Sequence, residues 1–180
     1  MFYKPEGIAP AMLTAFDDDG TVNAEVMGDI VDFCCNSGCK MLFTVSSVGE
    51  FVHLEMDEAC NLMSIVKKAS MGRLPVLAGV TASHIEKSID LAKHARQIGC
   101  DGIVCSPPYY YSVTQEMIER HYEMLAEAVP DISIVMYNIP LFSTPLSYDL
   151  VKRVSQIPNV VAMKDSSGSM VDLLHFMDKC

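Results

Sequence analysis

The apolar run VVAM at 160–163 ends in a lysine, Lys164, and the chain then turns polar in DSSG. Side chains alternate along a strand, so Lys164 shares a face with Ala162 and Val160. If that face is interior, a charged ammonium is costly there without a partner. A neutral amine is the form that attacks a carbonyl to make a Schiff base. If Lys164 instead pairs with Asp165 or reaches solvent, it is structural. The stretch by itself leaves both readings open.

Other strand-like runs also end in residues with chemical capacity. Tyr137 closes ISIVMYN at 132–138, where a phenol can pass protons to a carbonyl or carbinolamine, or can simply be a core tyrosine. Ser47 stands in SSVGE (46–50) beside Gly49. The N–H groups of such a turn can bind a carboxylate, although an ordinary turn serine reads the same way. Glu50 can act as a base or hold its own loop. The loop SPPYYY (106–111) carries Tyr109, Tyr110 and Tyr111, an interface plug, a substrate wall or both. Asp17, Asp18 and Asp19 with Gly20 resemble metal ligands by type but read as an exposed acidic turn. The histidines form no HxxxH pair, His84 and His94 fall on helix surfaces, and no metal is assigned.

The elements that must position these residues follow from pattern. Val/Ile/Leu-rich runs at 7–14, 40–45, 75–80, 102–106, 132–138 and 160–164 show little alternation, as parallel strands buried on both faces should. Helical patterns lie between and after them, at 23–37, 56–69, 85–98, 115–128, 147–155 and 170–179. Asn23 can cap the first helix and Gly38 end it; Ser83 precedes the third and Gly99 closes it. Strand and helix alternate about every 30 residues, so six β/α units follow one another. A doubly wound sheet and part of a (β/α)8 barrel both fit, and in both, function gathers at the C-terminal ends of the strands. The first turn carries no GxGxxG, which removes the best signal for a dinucleotide fold.

Bulk composition narrows the class. The chain has 180 residues, 50% of them hydrophobic, with a net charge of −10. That suits one globular domain spanning 1–180 and argues against nucleic-acid binding. No window approaches the ~18 consecutive apolar residues of a membrane span. The start MFYKPEGIAP has no apolar signal core, so a cytoplasmic protein is expected. The seven cysteines (34, 35, 39, 60, 100, 105 and 180) are odd in number and lack a CxxC pair, which reads as buried, reduced thiols.

Taken together, GIAPAMLTAFDDDGTVN, VSSVGEF, PVLAGV, GCDGIVCSPPYYY, IVMYNIP and VVAMKDSSG resemble the dihydrodipicolinate synthase/N-acetylneuraminate lyase family, in family order along essentially the whole chain. YNIP followed by a lysine at the next strand end is the specific part. The resemblance implies a TIM barrel and a class I aldolase acting on pyruvate and an aldehyde or 2-oxo acid. It implies no cofactor, and a homo-oligomer, dimer or tetramer. Lys164 matches the lysine that forms the pyruvate imine, and Tyr137 the tyrosine that shuttles protons. Ser47 matches the hydroxyl residue of GxxGE that contacts the pyruvate carboxylate, with the Val48 N–H and Gly49 beside it. Tyr110 matches the tyrosine that crosses a dimer contact toward a neighbour's site.

The chain also departs from the family pattern. Ser46 replaces the first glycine of GxxGE, and Val48 replaces its second hydroxyl residue. Phe142 stands where dihydrodipicolinate synthases usually have an arginine. This favours a lyase of sugar-derived 2-oxo acids, of the N-acetylneuraminate or 2-keto-3-deoxy-sugar-acid type, with dihydrodipicolinate synthase as the alternative. Family barrels have eight strands. A chain that stops after the sixth unit is expected to be a truncated barrel with open strand edges. A third reading, from a different class, is therefore a non-catalytic fragment that acts by association.

Overall fold

The computed structural model describes residues 2–179, so Cys180 lies outside the described residues. The elements follow in the order α1 (Ala24–Asn36), β1 (Leu42–Thr44), α2 (Met56–Ser70), β2 (Val76–Gly79), α3 (Ile85–Gln97), β3 (Gly102–Cys105), α4 (Gln115–Ala128), β4 (Ser133–Asn138), α5 (Tyr148–Val154), β5 (Val160–Asp165) and α6 (Met170–Lys179). The five strands form one parallel sheet in the order β1-β2-β3-β4-β5. This is the expected α/β alternation.

Local chemistry explains the helix boundaries. The Asn23 side chain accepts from the Val26 N–H at 2.9 Å and starts α1. Glu55 and Glu58 form a capping box at the head of α2. Thr114 and Ser147 cap α4 and α5 in the same way as Asn23. Gly38 and Gly99, both at positive φ, lie just past α1 and α3.

Contacts divide the chain into two compact units. Pro5–Gly79 with Leu91–Ile103 forms one of them. Its core holds Met27, Val31, Met41, Leu42, Leu62 and Met63. Asp101 ties it together: one carboxylate oxygen accepts from Lys67 Nζ at 3.0 Å and from the Val76 N–H at 2.9 Å. The expected strand at 7–14 is not one. Among the described residues it forms one isolated bridge, Ala11 to Phe43, and the Lys40 N–H donates to Ile8 O at 2.9 Å. Met12 N–H donates to Phe43 O, and Phe43 N–H to Pro10 O. Pro10 has no N–H to continue the ladder, and Gly7 at φ 87° bends the chain before it.

The other unit contains β4, β5 and helices α4, α5 and α6. Tyr122, Ile118, Leu125, Ile134 and Leu150 fill its core. Strands β1 to β4 are buried throughout, as expected, but β5 is buried only at Val160. Among the described residues β5 stands at one end of the sheet order and pairs with β4. Beside it, a cleft of about 410 Å³ opens among β5, α5 and α6, lined by Val161, Met163, Leu173, Phe176 and Met177 among others.

The six described cysteines are free; Cys34, Cys100 and Cys105 are buried, and Cys35, Cys39 and Cys60 are half-buried. Burial pushes the Cys100 and Cys105 thiols up to about 12, so neither is a nucleophile near neutral pH. Cys105 Sγ lies 3.4 Å from Nε2 of buried His121, and the Tyr122 hydroxyl donates to Cys105 O at 2.7 Å. Of the two histidines expected on helix surfaces, His84 is exposed but lies just before α3 rather than on it. His94 is half-buried, its Nε2 3.0 Å from Ser64 Oγ.

Desolvation lowers His121 from its ordinary 6.5 to about 4. Between those values the unfolded chain binds a proton that the folded chain refuses. The stabilisation is therefore complete above pH 6.5 and is lost as pH falls toward 4, by about 3 kcal/mol. Urea midpoints at pH 7, 5.5 and 4.5 should fall more steeply for the unsubstituted chain than for His121→Gln. Parallel pH dependences would reject this assignment.

Candidate functional site

The pairing of β4 with β5 sets Tyr137 opposite Lys164 and Asn138 opposite Asp165. This register depends on an irregularity. Ile134 pairs with Val160, but Val135 pairs with Ala162, so β5 carries one extra residue, Val161. Without it Tyr137 would face Met163. Such a bulge re-aims the side chains that follow it.

Lys164 is half-buried and Tyr137 is 7% exposed. The ammonium lies over the Tyr137 ring, 3.5 Å from the centroid, a cation–π contact. Lys164 Nζ also donates to Ser166 Oγ at 3.1 Å, and Ser166 Oγ donates to the Tyr137 hydroxyl at 3.5 Å. Lys164 is thus drawn to the tyrosine. Asp165 does something else. One carboxylate oxygen accepts from Asn138 Nδ2 at 2.7 Å and the other from Ser167 Oγ at 2.7 Å.

These polar residues also set the loop that follows. Asn138 accepts from the Leu146 N–H at 3.0 Å through its side chain, and from the Ser166 N–H at 2.8 Å through its backbone. Ser167 Oγ accepts from the Ser169 N–H at 3.1 Å, and Ser169 Oγ from the Asp172 N–H at 3.2 Å. The Tyr148 hydroxyl donates to Asp172, whose carboxyl is held below its usual range, first by Tyr148 and then by Ser169. Tyr148 also packs edge-on against His175 and Phe176. The base of α6 is thereby fastened to α5.

Tyr110 is 84% exposed, at φ 84°, and meets Tyr111 edge-to-face. Together with Pro140 and Phe142 these tyrosines line a shallow hollow of about 320 Å³.

The 46–50 loop belongs to the first unit. Ser46 is buried; its Oγ donates to Met12 O at 3.1 Å and accepts from the Gly49 N–H at 3.0 Å. Thr14 Oγ1 donates to Gly49 O at 2.6 Å. A Cβ on Gly49 would sit 2.7 Å from Met12 O, so only glycine fits. Ser47 is half-buried and Val48 exposed. Glu50, at φ 58°, serves the loop through its backbone: its N–H donates to Ser47 O, and its O accepts from the His53 N–H.

The structure therefore brings Lys164 and Tyr137 together and adds Ser166, Asn138 and Asp165, which the sequence reading did not single out as a set. The available signal was the opposition of two polar pairs, YN and KD, at neighbouring strand ends. Among the described residues no three His, Cys, Asp or Glu side chains gather as metal ligands would, and the acidic turn at 17–20 is closed locally by Thr21 on Asp19.

The dihydrodipicolinate synthetase family model matches residues 4–180. A 4-hydroxy-tetrahydrodipicolinate synthase of Laribacter hongkongensis is 33% identical over 165 residues, covering 91% of this chain and 56% of the relative. Two solved structures are similar throughout. A dihydrodipicolinate synthase from Acinetobacter baumannii complexed with pyruvate superimposes with a TM-score of 0.91 at 30% identity, over 96% of this chain and 59% of that one. A sialic acid aldolase of Ruminococcus gnavus superimposes with a TM-score of 0.92 at 27% identity, over 97% and 58%. The chain thus spans less than two thirds of the length of the proteins it matches.

Proposed function

Because the chain belongs to the dihydrodipicolinate synthetase family, we propose that Lys164 forms a Schiff base with pyruvate and that the protein is a class I aldolase-type lyase. The observation that carries this reading is the Lys164 amine set against Tyr137 at paired strand ends. The amine attacks the keto carbon, the carbinolamine loses water, and the iminium takes up the electron pair of a C–H bond on the neighbouring carbon as that proton passes to a base. The carbon nucleophile so formed adds to an aldehyde, and the same steps in reverse cleave a carbon–carbon bond. Tyr137 supplies a hydroxyl for the proton transfers. The reading keeps the roles that resemblance assigns to Ser47, Val48 and Gly49 toward a carboxylate, to Tyr110 in a neighbour's site, and to a homo-oligomer.

For the second substrate, the names of the relatives favour condensation of pyruvate with aspartate semialdehyde, the 4-hydroxy-tetrahydrodipicolinate synthase reaction. This reverses the order suggested by the sequence. The sugar-acid lyase reading keeps the support that resemblance gives it: Phe142, 57% exposed, stands where the family pattern places the synthase arginine. Incubation with pyruvate and borohydride, followed by mass and peptide analysis, should find one adduct, on Lys164. Condensation with aspartate semialdehyde should then exceed pyruvate release from N-acetylneuraminate or 2-keto-3-deoxy acids. The opposite ranking would select the lyase, and an adduct elsewhere would reject both.

A further inference from the structure

Resting on the pyruvate-imine reading, we propose that Ser166 is the proton relay between Lys164 and Tyr137. The Lys164 ammonium sits against the face of the Tyr137 ring, 3.5 Å from its centroid. The phenol oxygen lies at the rim, in the plane of the ring, so the face contact is not a route for a proton. Ser166 Oγ spans the two positions, accepting from Lys164 Nζ at 3.1 Å and donating to the Tyr137 hydroxyl at 3.5 Å. Its backbone is held by the Ser166 N–H donating to Asn138 O at 2.8 Å. A hydroxyl can accept on one side while donating on the other, which is what a relay requires. Ser166 is also exposed, so a reactant has access to it.

The chemistry needs such a path. On the way from an ammonium to an iminium the lysine nitrogen gives up two protons. Both leave on the former keto oxygen as water, one C–N double bond replaces one C–O double bond, and no net proton is gained or lost. Each proton must therefore travel from Nζ to that oxygen. Nζ hands a proton to Ser166 Oγ as Ser166 hands its own to the Tyr137 oxygen, and Tyr137 hands its own to the departing oxygen. Nothing is oxidised or reduced.

The test is the rate of borohydride-trappable pyruvate imine in the unsubstituted chain, Ser166→Ala and Ser166→Thr, across pH, with thermal melts as a fold control. Ser166→Ala should trap at the same lysine and to the same end point, but about 10–100-fold more slowly near neutral pH, the lower part of the range for a positioned proton-transfer group. Its deficit should shrink as pH rises and hydroxide removes the proton directly. Ser166→Thr should restore the unsubstituted profile. If the unsubstituted chain traps at Lys164 and Ser166→Ala matches its rate and pH profile, the relay is overturned and the imine reading stands. Equal slowing in the alanine and threonine variants also overturns it, since position rather than the hydroxyl would then matter. No trapping at Lys164 in the unsubstituted chain removes both.

Discussion

Lys164→Ala should leave no pyruvate adduct after borohydride treatment, and turnover should fall on the order of 10⁶-fold, the scale seen when a covalent nucleophile is removed. Stability should hardly change. The side chain is half-buried, and its contact with the Tyr137 ring contributes about 1 kcal/mol or less. A merely structural lysine predicts the reverse, a clear drop in melting temperature with chemistry intact, so melts and trapping measured on the same variant separate the two. Tyr137→Phe makes the complementary contrast. Loss of one buried hydroxyl costs roughly 1 kcal/mol, so the fold should persist. The adduct should still form, more slowly, because the nucleophile remains. Carbon–carbon bond making or breaking should fall more steeply, by about 10²–10⁴-fold. Near-normal turnover in the phenylalanine variant would remove Tyr137 from the mechanism.

Gly79→Ala should destabilise the chain by about 3–5 kcal/mol, among the largest losses expected of a single methyl group. A Cβ on Gly79 would lie 2.0 Å from Val45 O, 2.9 Å from Val45 C and 3.3 Å from Thr44 O. Every one of these atoms is backbone, so no side chain can swing aside. Val45 cannot easily yield either. It is a β-branched residue at φ 53°, a conformation that costs about 1–3 kcal/mol and is kept only where its surroundings hold it. Relief would mean pulling apart the paired ends of β1 and β2, where Thr44 sits opposite Ala78. Gly28→Ala is the control. It lies within α1 with nothing within 4 Å of its would-be Cβ, so the change should be neutral or stabilise by about 0.5–1 kcal/mol. Urea denaturation of both variants reads the difference, and a Gly79→Ala midpoint equal to that of the unsubstituted chain would refute the clash.

The helices were legible because their ends are written in short-range chemistry. Asn23, expected as a cap, places its side-chain oxygen on the backbone one turn ahead, and Thr114 and Ser147, not singled out in the sequence, do the same. Lys164 and Tyr137 stood out for a related reason: a polar group ending an apolar run is a local anomaly. What stayed hidden depends on pairing between segments far apart. The extra residue Val161 brings Lys164, rather than Met163, to Tyr137, and no pattern within VVAMKD announces it. The Asn138–Asp165 bond follows from the same register. At 7–14 the composition is strand-like, but the missing N–H of Pro10 decided the outcome. The strain at Val45 is equally silent in sequence, since nothing in valine asks for a positive φ.

The exposed apolar surface around β5 and α6 has a colloidal consequence. An apolar cleft lies beside β5, and Met170, Val171, Leu174 and Met177 of α6 stand exposed after it in sequence. Opposing self-association are the charges of Lys164 and Asp165 at one end of the strand and the net charge of −10 on each copy. Only the latter repulsion acts before contact, and it reaches about 8 Å at physiological ionic strength. The same chain is therefore better dispersed in dilute buffer than in concentrated salt, where that repulsion is screened and the apolar surface is left to govern encounters between molecules.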